Sequence, residues 1–123
     1  MANEITIQAN LSCTNGGFSF ATREGSVRVN QSVNGGGGPG VLTITTSDTA
    51  LSLGTYSAKG YCFIKNLDPT NYVEFGPESG GAIVKMIRLN AGEYALFRFV
   101  SAAVLRAQAN TASVKCYIAV LEN

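Results

Sequence analysis

Hydrophobic and polar residues alternate along most of the chain with a period of two. Between positions 5 and 12, Ile, Ile, Ala and Leu alternate with Thr, Gln, Asn and Ser. The same alternation returns between positions 116 and 121, where Cys, Ile and Val alternate with Tyr, Ala and Leu. A period of two is typical of a β-strand that buries one face. The pattern therefore predicts strands at both ends of the chain.

Similar segments fill the region between, and clusters of Gly, Pro, Asn and Asp separate them as turns. Turns are predicted at 68–71, 76–81 and 90–93. Strands are predicted at 41–46, 61–67, 72–75, 83–89, 94–100, 104–107 and 113–121. The alanines of 90–109 also allow a helix, but Phe97, Phe99 and Val100 at close spacing favour a strand.

Together these signals predict about eight to ten antiparallel strands in an all-β fold. A sandwich, a jelly roll and a small barrel all fit such spacing, and we favour a jelly-roll-like β-sandwich. The 123 residues suit one domain, so a single β-sandwich is expected over residues 1–123.

A glycine-rich segment at 34–40 interrupts the alternation, and we predict a flexible loop there, because glycine and proline weaken strands. A phosphate-binding loop is not supported, because a strand rather than a helix follows the glycines. The loop is instead a candidate for ordering when a partner docks. Its candidate contact residues are Gly35, Gly36, Gly37, Gly38 and Pro39.

Composition adds a hint of association. Hydrophobic residues make up 46% of the chain, and charged residues only 14%, against a usual fraction of about 25%. A surface with few charges fits burial against other proteins. It equally fits a sheet protein that uses Thr, Ser and Asn in place of charges, and the sequence leaves both interpretations open.

The charge distribution argues against a nucleic-acid partner. The net charge is +1, and the nearest approach to a basic patch is Arg23 and Arg28, with Glu24 between them. Neutralising phosphates requires a concentrated basic face, so no nucleic acid is expected to bind.

The sequence also argues against enzyme chemistry and against a metal or cofactor. It contains no histidine, which removes the commonest general base and metal ligand. Serine and cysteine nucleophiles therefore lack a base, and Lys59 or Lys85 would be an unusual one. Asp48, Asp68, Glu74 and Glu78 do not show the spacing of a calcium loop.

Three cysteines, Cys13, Cys62 and Cys116, are widely spaced and odd in number. Three reduced thiols are the simplest interpretation, and one disulfide with one free thiol stays open. The N-terminus lacks a signal-peptide pattern, and the longest apolar stretch, 94–105, is too short to cross a bilayer. We expect synthesis in the cytoplasm without secretion, and no membrane partner.

Tyrosines are the aromatic residues with a polar tip. On a sheet face they stack on sugars or anchor protein interfaces, although a half-buried core position is the commoner use of any one of them. The chain has Tyr56, Tyr61, Tyr72, Tyr94 and Tyr117. Tyr56 and Tyr72 join the glycine segment as candidate partner contacts.

Three segments of the second half carry a resemblance to a known class. Residues 60–76 contain the turn NLDPTNYV, residues 89–99 contain LNAGEYA, and residues 109–122 begin with ANTASVK. These segments resemble hairpins and strand entries of small virion structural proteins of tailed bacteriophages. The resemblance covers about half of the chain and consists of turn and strand motifs. It implies a β-sandwich virion component and brings no catalytic residues with it.

The resemblance favours a capsid decoration, or cement, protein that stabilises the phage head by bridging capsid subunits. Its expected partners are the major capsid protein or other virion proteins and further copies of itself, as a dimer or trimer, and its expected location is the virion. A tail or host-attachment accessory module, with glycan binding through tyrosines, is the alternative. A non-viral β-sandwich adaptor stays open, because 1–59 do not share the resemblance.

Overall fold

The computed structural model describes residues 4–32, 35–54, 58–100 and 103–123, and it has thirteen strands and no helix there. All pairings among these strands are antiparallel. The strands are β1 (Ile5–Ile7), β2 (Ser12–Asn15), β3 (Phe18–Ala21), β4 (Val27–Val29), β5 (Gly36–Ile44), β6 (Thr49–Ala50), β7 (Lys59–Asn66), β8 (Val73–Ser79), β9 (Ala82–Ile83), β10 (Ile87–Leu89), β11 (Tyr94–Arg98), β12 (Leu105–Ala109) and β13 (Val114–Glu122).

The all-β prediction is confirmed, including strands where 90–109 allowed a helix. The number of strands is higher than predicted because several are very short. A two-residue strand such as β6 or β9 cannot display a periodicity of two. β8 also continues through Gly76 and Pro77 to Ser79, so the predicted turn at 76–81 shrinks to the tip of a hairpin.

The chain divides into two compact units, residues 1–32 and 33–123, where the sequence predicts one domain. In the first unit β1 pairs with β4 and β2 pairs with β3. Among the residues of this unit that the structure describes, Ile5 alone is buried. The first unit therefore has no core of its own that compares with an ordinary domain.

The second unit contains two sheets. The first sheet has the order β10-β8-β12-β6, with β9 attached to β8, and the second sheet has the order β11-β7-β13-β5. Successive strands from β5 to β8 alternate between the sheets, and so do those from β10 to β13. This is the strand order of a jelly roll, in which two antiparallel sheets share one core.

The core lies between these two sheets and takes residues from both. Phe75 and Val73 of the first sheet and Ile64 and Ile118 of the second sheet belong to the same buried cluster. Along β13 the even-numbered positions from Val114 to Val120 are buried, so its alternation predicts the inner face correctly. The odd-numbered positions of β13 therefore point away from the core.

The glycine-rich segment is a strand, which corrects the predicted loop at 34–40. Gly36, Gly37, Gly38 and Pro39 belong to β5. Gly36, Gly38 and Pro39 pair with the end of β13, and Gly37 falls at the register shift between them. β5 is the edge strand of its sheet, and an edge strand can contain proline because one side makes no ladder hydrogen bonds. Gly35 immediately precedes the strand, and Asn34 lies outside the described residues.

Candidate interaction surface

Among the described residues of the second unit, the exposed aromatic side chains Tyr94 and Tyr117 lie on the outer face of the second sheet. In β7 the buried residues Gly60, Cys62 and Ile64 alternate with side chains that point away from the core. The same alternation in β11 and β13 directs a matching set outward. We call this set the aromatic face, and it consists of Tyr61, Phe63, Lys65, Tyr94, Leu96, Arg98, Lys115 and Tyr117.

Three rings form a cluster on the aromatic face. The ring centroid of Phe63 lies 5.6 Å from that of Tyr94 and 6.4 Å from that of Tyr117, in tilted arrangements. Strand register explains the cluster, because Tyr94 and Tyr117 stand on either side of Lys65, two positions from Phe63. Tyr94 is 65% exposed, so the cluster is open to solvent.

A second contact on this face combines charge with an aromatic ring. Arg98 stands opposite Tyr61 across β11 and β7, and its guanidinium carbon lies 5.0 Å from the ring centroid. Arginine over a tyrosine ring is a favourable cation–π arrangement. A shallow depression of about 180 Å³ on this face is lined in part by Tyr61, Phe63 and Leu96.

The face is basic. Lys65, Arg98 and Lys115 point outward, and no carboxylate occupies the described outward positions of 61–65, 94–98 and 115–119. The only acidic residue in the four strands is Glu122, which stands opposite Lys59 at the far end of β13. A partner that covers the aromatic face therefore has to supply the negative charges, because buried cations need partners.

A second apolar depression, of about 270 Å³, lies between the two sheets. Its lining includes Pro77 and Ile87 from the first sheet, Phe97 from the second, and the neighbouring Val104. No titratable group other than Arg98 contributes to this lining within the described part of the chain. The depression is lined mainly by apolar side chains, so it can hold an apolar group.

The candidate contacts named from the sequence are not members of the aromatic face, although Pro39 borders it on the same outer side of the second sheet. Pro39 stands opposite Ala119 in the edge strand β5, in line with the other glycine-segment residues. Tyr72 precedes β8 of the first sheet, and the guanidinium of Arg88 lies 4.0 Å from its ring. Tyr56 lies outside the described residues.

The candidate carboxylates are engaged in ion pairs or turn hydrogen bonds. Arg106 binds Asp48 at 2.8 Å and Glu78 at 2.7 Å. Glu74 contacts Arg88 at 2.9 Å and Lys85 at 3.2 Å, so Lys85 is an ion-pair partner rather than a free base.

Burial tends to raise the pKa of Glu74, but hydrogen bonds from Arg88 and Lys85 outweigh it and leave that pKa below its ordinary value. The carboxylate therefore stays charged and paired, which suits a structural ion pair better than a general acid. Across the described ranges, no three potential ligands come together as a metal site.

All three cysteines are free thiols. Cys13 is exposed, whereas Cys62 and Cys116 are buried in the core of the second unit. Burial raises the pKa of both core thiols to about 12. They are small hydrophobic residues of the core and not nucleophiles.

Comparisons with known proteins find no match. No family model matches the chain, and neither curated proteins nor solved structures show a significant match. Within the described ranges, no helix is long and apolar enough to cross a membrane.

Sequence reasoning missed the aromatic face because β7 is apolar on both sides. Tyr61 and Phe63 alternate with Cys62 and Ile64, and either set could face the core. The pairing of Tyr94 and Tyr117 with Lys65 is a long-range contact, which no local pattern encodes.

Proposed function

We propose that the chain is a structural protein of a phage particle, acting as a capsid decoration protein that bridges capsid subunits. The aromatic face of the second sheet is the observation on which the proposal depends. It is the surface through which the protein binds its neighbour in the particle.

The make-up of this face supports a protein partner. Protein interfaces are enriched in tyrosine, phenylalanine and arginine and contain few carboxylates, and their most important residues are aromatic or arginine. The face combines Phe63, Tyr94 and Tyr117 with Arg98. The jelly-roll order adds support, since viral capsid proteins use this architecture.

The positive charge of the aromatic face limits which protein surfaces can bind it. Lys65, Arg98 and Lys115 would lose water when the face is covered, so the partner surface must contribute aspartate or glutamate. We therefore expect binding to weaken as salt concentration rises, because salt screens partly exposed charges.

The test adds the purified protein to phage heads that were assembled without it. Co-sedimentation measures binding, and thermal release of packaged DNA measures stabilisation of the head. Lys65→Glu and Tyr117→Ser are each expected to weaken binding about thirtyfold or more, since charge reversal and removal of a central aromatic anchor cost about 2 kcal/mol or more.

Two matched substitutions serve as controls. Arg23→Glu makes the same charge change in the first unit, and Val84→Ser removes an exposed apolar side chain between β9 and β10. Both should leave binding unchanged. Failure of the unaltered protein to bind heads would rule out the decoration role, and equal binding by all four variants would rule out the aromatic face.

A host-attachment module that binds acidic glycans is the second candidate. Exposed rings beside Lys65 and Arg98 favour it, because sugars stack on aromatic faces and cations pair with carboxylate or sulfate groups. The described outward positions of 61–65, 94–98 and 115–119 contain no Asn, Gln, Asp or Glu to bind neutral sugar hydroxyls. Binding to acidic glycans on an array, without binding to heads, would favour this function.

A further inference from the structure

Strand β11 is an edge of the second sheet and pairs with β7 on one side only. The backbone N–H of Phe99 donates to the carbonyl of Gly60 at 2.8 Å, and that of Asn66 donates to the carbonyl of Glu93 at 2.9 Å. Hydrogen bonds alternate along an antiparallel ladder, so the odd-numbered residues of β11 bond to β7. The backbone groups of its even-numbered residues therefore point away from the sheet.

These outward backbone groups belong to Tyr94, Leu96 and Arg98. Among the residues that the structure describes, no group forms a hydrogen bond with them. Such an edge is a template for a further strand, because its N–H and C=O groups are still available. The side chains of Ala95 and Phe97 face the core and are only partly buried, as expected where no strand covers the edge.

The other edges of the two sheets are less suited to a further strand. β5 contains Pro39, which lacks an N–H, beside glycines at positive φ. β6 has two residues and β10 has three. β11 has five residues and contains neither glycine nor proline. Within the described part of the second unit, it is the longest edge that neither residue interrupts.

The larger apolar depression lies at the same edge of the sandwich. Its lining joins Phe97 of β11 to Ile87 of β10, which is the edge strand of the first sheet. A strand added beside β11 would direct every second side chain towards the core, next to Phe97. Apolar side chains at those positions would enter the depression, which has a volume of about 270 Å³.

The remaining side chains of an added strand would lie beside the aromatic face. They would stand next to Tyr94, Leu96 and Arg98, with Lys65 on the following strand. The outward positions of 61–65 and 94–98 contain these two cations and no carboxylate. Opposite charges on neighbouring strands stabilise the pairing, and like charges oppose it. The charge therefore selects aspartate or glutamate at the outward positions of the added strand.

We propose that the free edge of β11 binds an extended segment of a protein partner, which adds to the four-stranded second sheet as a further strand. In this segment, apolar side chains that face the core alternate with carboxylate side chains that face outward. The inference rests on the proposed function for the existence of a protein partner, and it adds which element of that partner binds.

Hydrogen exchange measured by nuclear magnetic resonance provides the first test. The probe is a synthetic peptide in which glutamate alternates with valine, and lysine replaces glutamate in its control. A saturating amount of the probe should slow exchange of the amide protons of Tyr94, Leu96 and Arg98 about tenfold or more. Those of Ala95 and Phe97 already bond to β7 and should change little. Unchanged exchange at the outward amides, or equal protection by the lysine peptide, would overturn the inference.

A substitution at the middle of the edge provides the second test. Leu96→Pro removes an outward N–H without breaking a bond to β7, and an edge strand can contain proline. Leu96→Ser shortens the same side chain and retains the N–H. The proline variant should bind the probe about tenfold or more weakly than the serine variant does. Equal affinities would show that the backbone edge is not the binding site.

Methylated probes test the same backbone contact without altering the chain. One peptide has N-methyl groups on its glutamates, and the other has them on its valines. Alternate N–H groups of an added strand face its neighbour, so only one of the two peptides should lose binding. Equal binding by both, or equal loss, would contradict an added strand.

These measurements use no phage heads, so the inference and the proposed function can fail separately. Head binding that Leu96→Pro leaves intact would overturn the added strand and leave the decoration role in place. Probe binding by a chain that does not bind heads would overturn the decoration role and leave the edge of β11 as a peptide site.

Discussion

At the scale of single residues, Asn66 is the one buried polar side chain among the residues that the structure describes. Its amide nitrogen donates to the carbonyl oxygens of Asn71, at 2.9 Å, and Leu89, at 3.0 Å. Its side-chain oxygen accepts from the backbone N–H of Asp68 at 2.8 Å. Asn66 therefore fastens the end of β7 to the following turn and to β10.

Replacing Asn66 by alanine should lower the free energy of unfolding by about 2–4 kcal/mol, because backbone groups of Asp68, Asn71 and Leu89 would lose the side chain that satisfies them. Urea unfolding measures the change. Asn90→Ala, at an exposed turn position, serves as the control and should cost less than about 0.5 kcal/mol. Equal stability of the two variants would show that this hydrogen-bond network is unimportant.

Two aspartates are held in their charged form. Hydrogen bonds from the backbone N–H groups of Asn71 and Thr70 keep the pKa of Asp68 below the ordinary 3.8. A hydrogen bond from Arg106, and a second from the backbone N–H of Ile83, do the same for Asp48. The folded state therefore binds protons at these two sites less readily than the unfolded state does.

This difference predicts the direction of acid sensitivity. A carboxyl whose pKa is lower in the folded state stabilises the protein above pH 3.8, and the contribution is lost as the pH falls through the folded-state pKa. Asp68→Asn should be less stable than the unaltered chain at neutral pH, and the gap should close below pH 3.8. Thermal unfolding across this pH range measures it, and a constant gap would contradict the assignment.

At the scale of elements, β5 shows how a glycine-rich segment becomes a strand. Gly36 has a φ of +121° and Gly37 a φ of +96°, which glycine adopts without strain. A side chain at Gly36 would collide with the backbone carbonyl of Val120, next to the register shift in β13. A side chain at Gly37 would meet no other atom within 4 Å.

Alanine at these two positions should therefore have unequal effects. Gly37→Ala should cost about 1–2 kcal/mol for the unfavourable φ alone. Gly36→Ala should cost about 1–3 kcal/mol more, because backbone atoms of β13 would have to move. Chemical denaturation of both variants checks the order, and equal losses would mean that β5 does not approach β13 as closely as described.

The pairing partners of the strands could not be predicted from the sequence. The turn signals at 68–71 and 90–93 are local. They therefore mark the end of β7 and the start of β11 well. The pairing of β5 with β13 joins segments about 75 residues apart, and it converts 36–40 from a predicted loop into a strand. Glycine has weak preferences of its own, so its neighbours decide its conformation.

At the scale of the whole molecule, the two units differ in how much apolar surface they bury. The core cluster consists entirely of residues between Ile44 and Val120, all in the second unit. Burial of apolar surface is the main source of folding free energy. The second unit therefore contains the determinants of its own stability.

A chain that begins at residue 33 should fold without the first unit. We expect cooperative thermal unfolding with a midpoint close to that of the whole chain, because no core residue is removed. The peptide 1–32 alone should lack stable structure, since its hairpins have almost nothing to bury. Circular dichroism measures both, and a truncated chain that unfolds gradually would show that the first unit contributes to stability.

The sequence by itself determined the class of fold and the absence of histidine chemistry. Both are local properties: alternation specifies strands residue by residue, and composition is independent of conformation. Only the tertiary structure decided which sides of the strands are covered. It collected Phe63, Tyr94 and Tyr117 on one outer face and left Phe18 and Phe20 on an open hairpin, because which face of a strand is buried depends on distant strands.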